Sequence, residues 1–420
     1  MDADDARWLT GPEGVDELRR GASESDTGSL AAAERLRRRL PPARAAAVGA
    51  QLELRRRARA KFGARAAELF FTADGLEQAS RPRVASWRAE RLRATGVRRV
   101  LDLGCGIGAD ALAFLDAGLE VTAVELDEPT AILGGANLGR PVLVGDAVAL
   151  IEELVGPETA VFCDPARRTA SGRSWRVEDL SPPWSFVESL LAERIACVKL
   201  GPGLPHAVIP DGVAATWVSD AGDLVELSLW SGTGERGRQA VLLPAGQVLD
   251  DATLPVIPAG FARPEVGAVL YEPDPAVIRA GLVDALAADL DAARLRPQLA
   301  YLLGAGHRPT PFATAFEVLQ VLDAGEKKLR AWVRSERIGT LEIKKRGVDV
   351  DPAVLRRRLK PSGPGSATLV LTPTDDGVRA LVVRRLPADL RRNVRYDDAA
   401  NPNSAQLRRN RRSESSPEPG

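Results

Sequence analysis

The stretch Val100-Leu-Asp-Leu-Gly-Cys-Gly-Ile-Gly-Ala-Asp110 decides the fold. An apolar run ending near Asp102 passes straight into glycines at alternate positions and then into helix-forming residues. The run reads as a buried strand. Gly104, Gly106 and Gly108 allow backbone conformations and close approaches that a Cβ would block, and the next helix presents its N-terminus to the turn. That is the outline of a nucleotide-cofactor site. Dinucleotides, S-adenosylmethionine (SAM) and flavins all use such turns, and a plain tight turn has the same spacing.

Working outward, β-rich runs alternate with helix-length segments: 99–103, 120–125, 141–144, 159–163, 195–200, 224–230 and 239–243. This alternation predicts an α/β domain with a parallel sheet covered by helices. Ser231-Gly-Thr-Gly-Glu-Arg-Gly237, between the last two runs, is too short for a crossover helix, so these runs are expected to form an antiparallel hairpin at the sheet's end. Seven strands with one reversed fit a class I methyltransferase sheet better than the all-parallel dehydrogenase sheet. Topology favours SAM over NAD.

In this fold ligands lie beyond the carboxyl ends of the strands, where four loops converge. The glycine turn is the first. Val121-Thr-Ala-Val-Glu125 ends in a carboxylate able to accept from both ribose hydroxyls. Asp146, after Val144-Gly145, is placed to accept from an adenine amino group, and the N–H of Ala147 to donate to a ring nitrogen. In the fourth loop, Val161-Phe-Cys-Asp-Pro-Ala-Arg-Arg168, Asp164 and Pro165 take the catalytic place, with Arg167 and Arg168 as candidate phosphate ligands. Lys199, ending the next strand, is either a substrate contact or a surface charge. Asp164-Pro165 is similar to the Asp/Asn-Pro-Pro-aromatic signature of amino-group methyltransferases, but Ala166 and Arg167 replace the second proline and the aromatic. Ser181-Pro-Pro-Trp184 is similar to the same signature. Its position, however, favours a serine N-cap with proline in the first helical turn.

A chain of 420 residues favours more than one domain. No apolar run is long enough to cross a bilayer and the start, Met-Asp-Ala-Asp-Asp, has no signal-peptide character, so a cytoplasmic location is expected. Cys105, Cys163 and Cys197 sit singly in apolar runs, and His206 and His307 are far apart, so no metal site is expected. Residues 1–90 read as a polar start followed by a helical segment, with helices over 29–40 and from 43 to about 69. Residues 91–250 read as the methyltransferase domain, 251–325 as a small ferredoxin-like α+β domain with helices over 276–290 and near 311–322, and 326–390 as a strand-helix-strand-strand module. Residues 391–420 read as a disordered basic tail.

Taken together, Leu76-Glu-Gln-Ala-Ser-Arg-Pro-Arg-Val-Ala85, Leu101 to Asp110, Asp164-Pro-Ala-Arg-Arg168 and Glu342-Ile-Lys-Lys-Arg-Gly347 resemble the bacterial class I SAM-dependent methyltransferases that carry a C-terminal THUMP-like domain. The likeness runs from about residue 65 to 385. It implies SAM as cofactor, held by Asp102, Gly104, Gly106, Glu125, Asp146 and Ala147, with Gln78 to Ala85 folding over it. It also implies an RNA substrate. Independent support for RNA comes from Lys344, Lys345, Arg346, Arg356, Arg357, Arg358, Lys360 and the arginines of the N-terminal helices; aromatics at 5% offer few stacking platforms. The other readings are a small-molecule methyltransferase and a SAM-sensing or RNA-binding protein without turnover.

Overall fold

Arg99–Leu103 lies inside a nine-stranded sheet of the computed structural model, which describes residues 1–23, 30–167, 177–251 and 261–387. The strand order is Gln247–Asp250, Gly237–Leu243, Ala214–Asp220, Asp223–Ser231, Ala196–Leu200, Thr159–Cys163, Arg99–Leu103, Glu120–Glu125, Leu143–Val144. Seven of these, from Ala214–Asp220 to Leu143–Val144, form a sheet with one reversed strand, with Ala214–Asp220 in the place expected for 239–243. Gln247–Asp250 and Gly237–Leu243 extend it. Every pair among Ala196–Leu200, Thr159–Cys163, Arg99–Leu103, Glu120–Glu125 and Leu143–Val144 is parallel. Asp223–Ser231 runs antiparallel to both its neighbours.

The expected terminal hairpin is corrected. Asp223–Ser231 turns back on Ala214–Asp220 through Ala221-Gly222, and Gly237–Leu243 pairs parallel with the far side of Ala214–Asp220. The missed strand, Ala-Ala-Thr-Trp-Val-Ser-Asp, is buried along its whole length. Its polar side chains bond inside the protein: Thr216 donates to Gln239 at 3.1 Å and Ser219 to Asp274 at 3.0 Å. Satisfied in this way, small polar residues can occupy an interior strand.

The chain divides into two units, Met1–Phe261 with Pro273–Leu302, and Ala262–Glu272 with Leu303–Gly420. In the first, Val100, Ala160, Phe162, Cys197 and Trp230 of the sheet share one core with Ala111, Leu112 and Phe114 of the helix Ala109–Asp116 and Ala85, Ala89 and Leu92 of the helix Pro82–Ala94. The polar start proves helical. Asp2 caps Ala3–Thr10, and Pro12 opens Pro12–Ala22. These helices, with Leu30–Arg39 and Pro42–Phe62, bury Leu9, Leu18, Leu36, Val48 and Leu52 against Phe70 and Leu133. Gln51 exchanges two hydrogen bonds with the Phe71 backbone, at 2.9 and 2.8 Å. The helix expected over 276–290 is two, Pro275–Arg279 and Val283–Leu290, interrupted at Gly281 with φ +71°. Among the described residues no helix is long and apolar enough to cross a membrane.

In the second unit the strands Val269–Pro273, Ala313–Asp323, Gly377–Arg385, Gly365–Thr374 and Ile338–Lys345 lie side by side in that order. The helices Glu326–Ser335 and Pro352–Leu359 bury Leu329, Val333, Leu355 and Leu359 among Leu341, Ile343, Leu369 and Leu371. The expected helix is there, capped by Asp351. The helix expected near 311–322 is instead a strand, Ala313–Asp323, with a register shift between Val318 and Gln320. The tail beyond 390 lies outside the described residues.

Two glycines let backbones touch in this unit. A Cβ on Gly339 would lie 1.9 Å from the Gly363 carbonyl oxygen, and one on Gly363 2.1 Å from that of Arg337. Backbone cannot rotate away as a side chain would. Gly339→Ala is therefore expected to cost about 3 kcal/mol; hydrogen exchange should quicken within residues 313–385, and unchanged protection there would refute the contact's importance.

Candidate cofactor and transfer site

Gly104 and Gly106 adopt φ values of +77° and +55° at the carboxyl end of Arg99–Leu103. Left-handed backbone suits glycine, and here it aims successive N–H groups at the next strand. Gly104 and Cys105 both donate to the Val124 carbonyl, at 2.9 and 3.0 Å. Gly106 donates to Glu125 Oε2 at 2.9 Å, and Asp127 donates to Oε1 at 3.0 Å. Glu125 thus ties the first loop to the second. Gly134, on the helix Glu128–Leu138, permits that helix to approach: a Cβ there would stand 2.8 Å from the Gly106 carbonyl.

The third loop joins the same rim, since Gly145 donates to the Glu125 carbonyl at 3.0 Å. Asp146 is exposed and caps the helix Ala147–Leu154, its Oδ1 accepting from Val148 at 2.8 Å; Ala147, half-buried, is the first residue of that helix. Beside these acids in the chain, Leu126, Val144 and Val148 expose apolar side chains, at 70%, 53% and 41%. Apolar walls beside polar groups are what a heterocyclic ligand requires.

Asp102 is 1% exposed, and among the described residues neither carboxylate oxygen has a hydrogen-bond partner. Burial pushes its carboxyl well above the ordinary range; Asp110, Asp164 and Glu125 add to this and Arg88 opposes it. Asp164 follows the fourth strand, with its side chain about a third exposed, and Lys199 donates to its Oδ2. Burial raises the Asp164 carboxyl, while Lys199 pulls the other way. For Lys199 burial acts to lower the ammonium, but Asp164 and Asp110 outweigh it and the net shift is upward. The ammonium is neither a surface charge nor a proton acceptor near neutrality. Pro165 is buried, and Ala166–Arg167 pairs antiparallel with Leu180–Ser181. Ser181 is therefore in a strand, and the N-cap of Trp184–Glu193 is Pro183, without a side-chain cap, in place of the serine expected. The Arg167 side chain and all of Arg168 lie outside the described residues.

Sequence reasoning missed the network behind these groups. Arg88, fully buried on Pro82–Ala94, donates to Asp110 and, at 2.6 Å, to both oxygens of Glu226. Ser80 bonds the other Asp110 oxygen at 2.9 Å. The available signal was Glu226, an acid within the apolar run Leu224-Val-Glu-Leu227. A second missed group is Lys61, whose ammonium donates to the carbonyls of Leu76, Glu77 and Ala79 at 2.7, 3.1 and 2.9 Å. It ties down the helix Ala73–Gln78, which packs so near the glycine turn that a Cβ on Gly75 would lie 2.7 Å from Ile107. Beyond that helix, Arg81 bonds Asp220 and Asp223. The segment expected to cover the cofactor is therefore fixed to four different elements.

Relatives from two strains of Mycobacterium tuberculosis, each described as an uncharacterized S-adenosylmethionine-dependent methyltransferase, are 32% identical over 333 residues, covering 76% of this chain and 90% of theirs. The chain belongs to the S-adenosylmethionine-dependent methyltransferases. A solved structure from Porphyromonas gingivalis, assigned as a methyltransferase, shares the fold with a TM-score of 0.71 at 21% identity, over 89% of this chain and 98% of that one. Residues 313–385 match the THUMP domain-like family, and residues 2–58 match a domain of unknown function. SAM carries an ammonium and a sulfonium; the unpartnered carboxylate of Asp102 inside an acid-rich cluster fits such a cation.

Proposed function

We propose that this protein methylates RNA, with Asp164 and the Pro165 carbonyl orienting the nucleophile. The observation that carries the transfer step is the Asp164–Lys199 pair at the carboxyl end of the fourth strand, within the same electrostatic cluster as Asp102. When bound, SAM supplies an activated methyl on sulfur, so the protein's task is in-line positioning. Asp102, Gly104, Gly106, Glu125, Asp146 and Ala147 are assigned to the cofactor, with Leu126, Val144 and Val148 as apolar walls. Asp164 presents an acceptor to the nucleophile's proton; Lys199 favours the ionised form of that acceptor against burial; Arg167 and Arg168 are assigned to substrate phosphate.

RNA is supported by the THUMP domain-like match and by exposed cations on the second unit, among them Lys345, Arg356, Arg357 and Lys360. Lys344 contributes differently from the expectation, because its ammonium is paired with Glu272 at 2.8 Å and lies over the Phe316 ring. Transfer of tritium from labelled SAM into bulk RNA of a deletion strain tests the reading. Label in RNA that is lost with Asp164→Ala, while calorimetry still detects SAM binding, is the expected result. Label confined to small molecules would favour a small-molecule enzyme, and binding without transfer would favour a sensor, the reading suggested by the missing aromatic after Asp164-Pro165.

A further inference from the structure

We propose that Asp102 is a proton-exchanging anchor for the cofactor: it carries a proton in the free protein and gives that proton to solvent when the cationic cofactor binds. This rests on the assignment of Asp102 to the cofactor site. Three other carboxyls, Asp110, Asp164 and Glu125, act electrostatically on Asp102, and each of the three has donors. Asp110, from the helix after the glycine turn, holds Arg88 and Ser80. Asp164, after the fourth strand, holds Lys199. Glu125, ending the second strand, accepts from the Gly106 and Asp127 N–H groups. Asp102 has none among the described residues, and it has almost no access to solvent.

The cation facing Asp102, Arg88, is already committed to Asp110 and Glu226. Two thiols stand close as well, Cys105 and Cys163, and burial pushes both upward, so they remain neutral and offer no charge. A carboxylate in that position has neither a donor nor water to stabilise it, and the neutral acid is favoured. A bound cation reverses the balance, because an opposite charge within a few ångströms favours the ionised form. The binding of SAM and the loss of a proton are then linked, and affinity rises with pH as long as the free-state carboxyl remains protonated.

Calorimetric titration of the full chain with SAM, in two buffers of different ionisation enthalpy at pH about 6.5, tests this; at that pH the cofactor's own α-amino group stays protonated. The expected result is net release of protons, up to one per cofactor bound, with affinity rising by up to tenfold per pH unit. Asp102→Asn should abolish the release, flatten the pH dependence and weaken binding. No buffer dependence in the wild type, with Asp102→Asn still weakening binding, would overturn the proton linkage and leave the site assignment standing. Asp102→Asn binding as tightly as wild type would remove the assignment itself. Release that survives Asp102→Asn and disappears with Asp164→Asn would place the proton on Asp164 and also overturn the proposal. The wild-type comparison between buffers needs no variant to fold.

Discussion

Arg88→Ala is expected to lower the unfolding free energy by about 3–5 kcal/mol, the range for breaking a buried ion pair from one side. Arg88 is inaccessible to solvent, its two terminal nitrogens are shared between Asp110 and Glu226, and its guanidinium lies 5.0 Å from the centre of the Phe162 ring. Alanine would leave two carboxylates in the interior with their principal cation gone, together with a cavity beside Phe162. Burial alone pushes Asp110 upward, but Arg88, helped by Lys199 and Ser80, reverses this and holds the carboxyl below its ordinary value. A depressed carboxyl contributes stability above its unfolded-state pKa and loses it as pH falls through the folded value. The deficit of Arg88→Ala should therefore be largest near neutrality and shrink on acidification. Urea unfolding at neutral and mildly acidic pH measures both. A deficit under 1 kcal/mol at neutrality would show that water or rearrangement replaces the guanidinium.

Lys199→Met is expected to cut methyl transfer at neutral pH by roughly 10- to 1000-fold and to move the acid limb of the rate profile to higher pH. The physical basis is the removal of the Lys199 cation bonded to Asp164, whose carboxyl burial already raises. An opposite charge at this range lowers a carboxyl by about 1–3 pH units, so its loss raises Asp164 by as much. If Asp164 serves as the acceptor, transfer then waits for ionisation at higher pH, and alkaline buffer should restore part of the rate. SAM affinity should change far less than the rate. A uniform loss at every pH would mean that Lys199 contacts substrate directly.

Much of the methyltransferase unit was legible because interior parallel strands are predominantly apolar. Arg99–Leu103, Thr159–Cys163 and Ala196–Leu200 stand out for that reason, and the glycine turn fixes where the cofactor loops converge. Ala214–Asp220 was hidden because its threonine, serine and aspartate look like loop chemistry until their internal partners are known. Ala313–Asp323 was misleading in a different way. In sequence Ala315, Val318, Leu319 and Leu322 have helical spacing, although the chain is extended with a register shift between Val318 and Gln320. Arg88 was one arginine among five between 81 and 93, and its partners lie 22 and 138 residues away. Local pattern holds no record of such a contact.

The path of the chain between its two units limits how the protein can be taken apart. It leaves the first unit at 261/262, returns at 272/273 and leaves again at 302/303, so a single cut releases neither part. A fragment trimmed to residues 313–385 would carry Ala313–Asp323 without its neighbour Val269–Pro273. Its outer ladder of N–H and C=O groups would then be bare along one side, an invitation to pair with a second fragment. Such a piece is expected to self-associate on concentration, and a span beginning before Val269 is the smallest one whose edge is closed as in the intact chain.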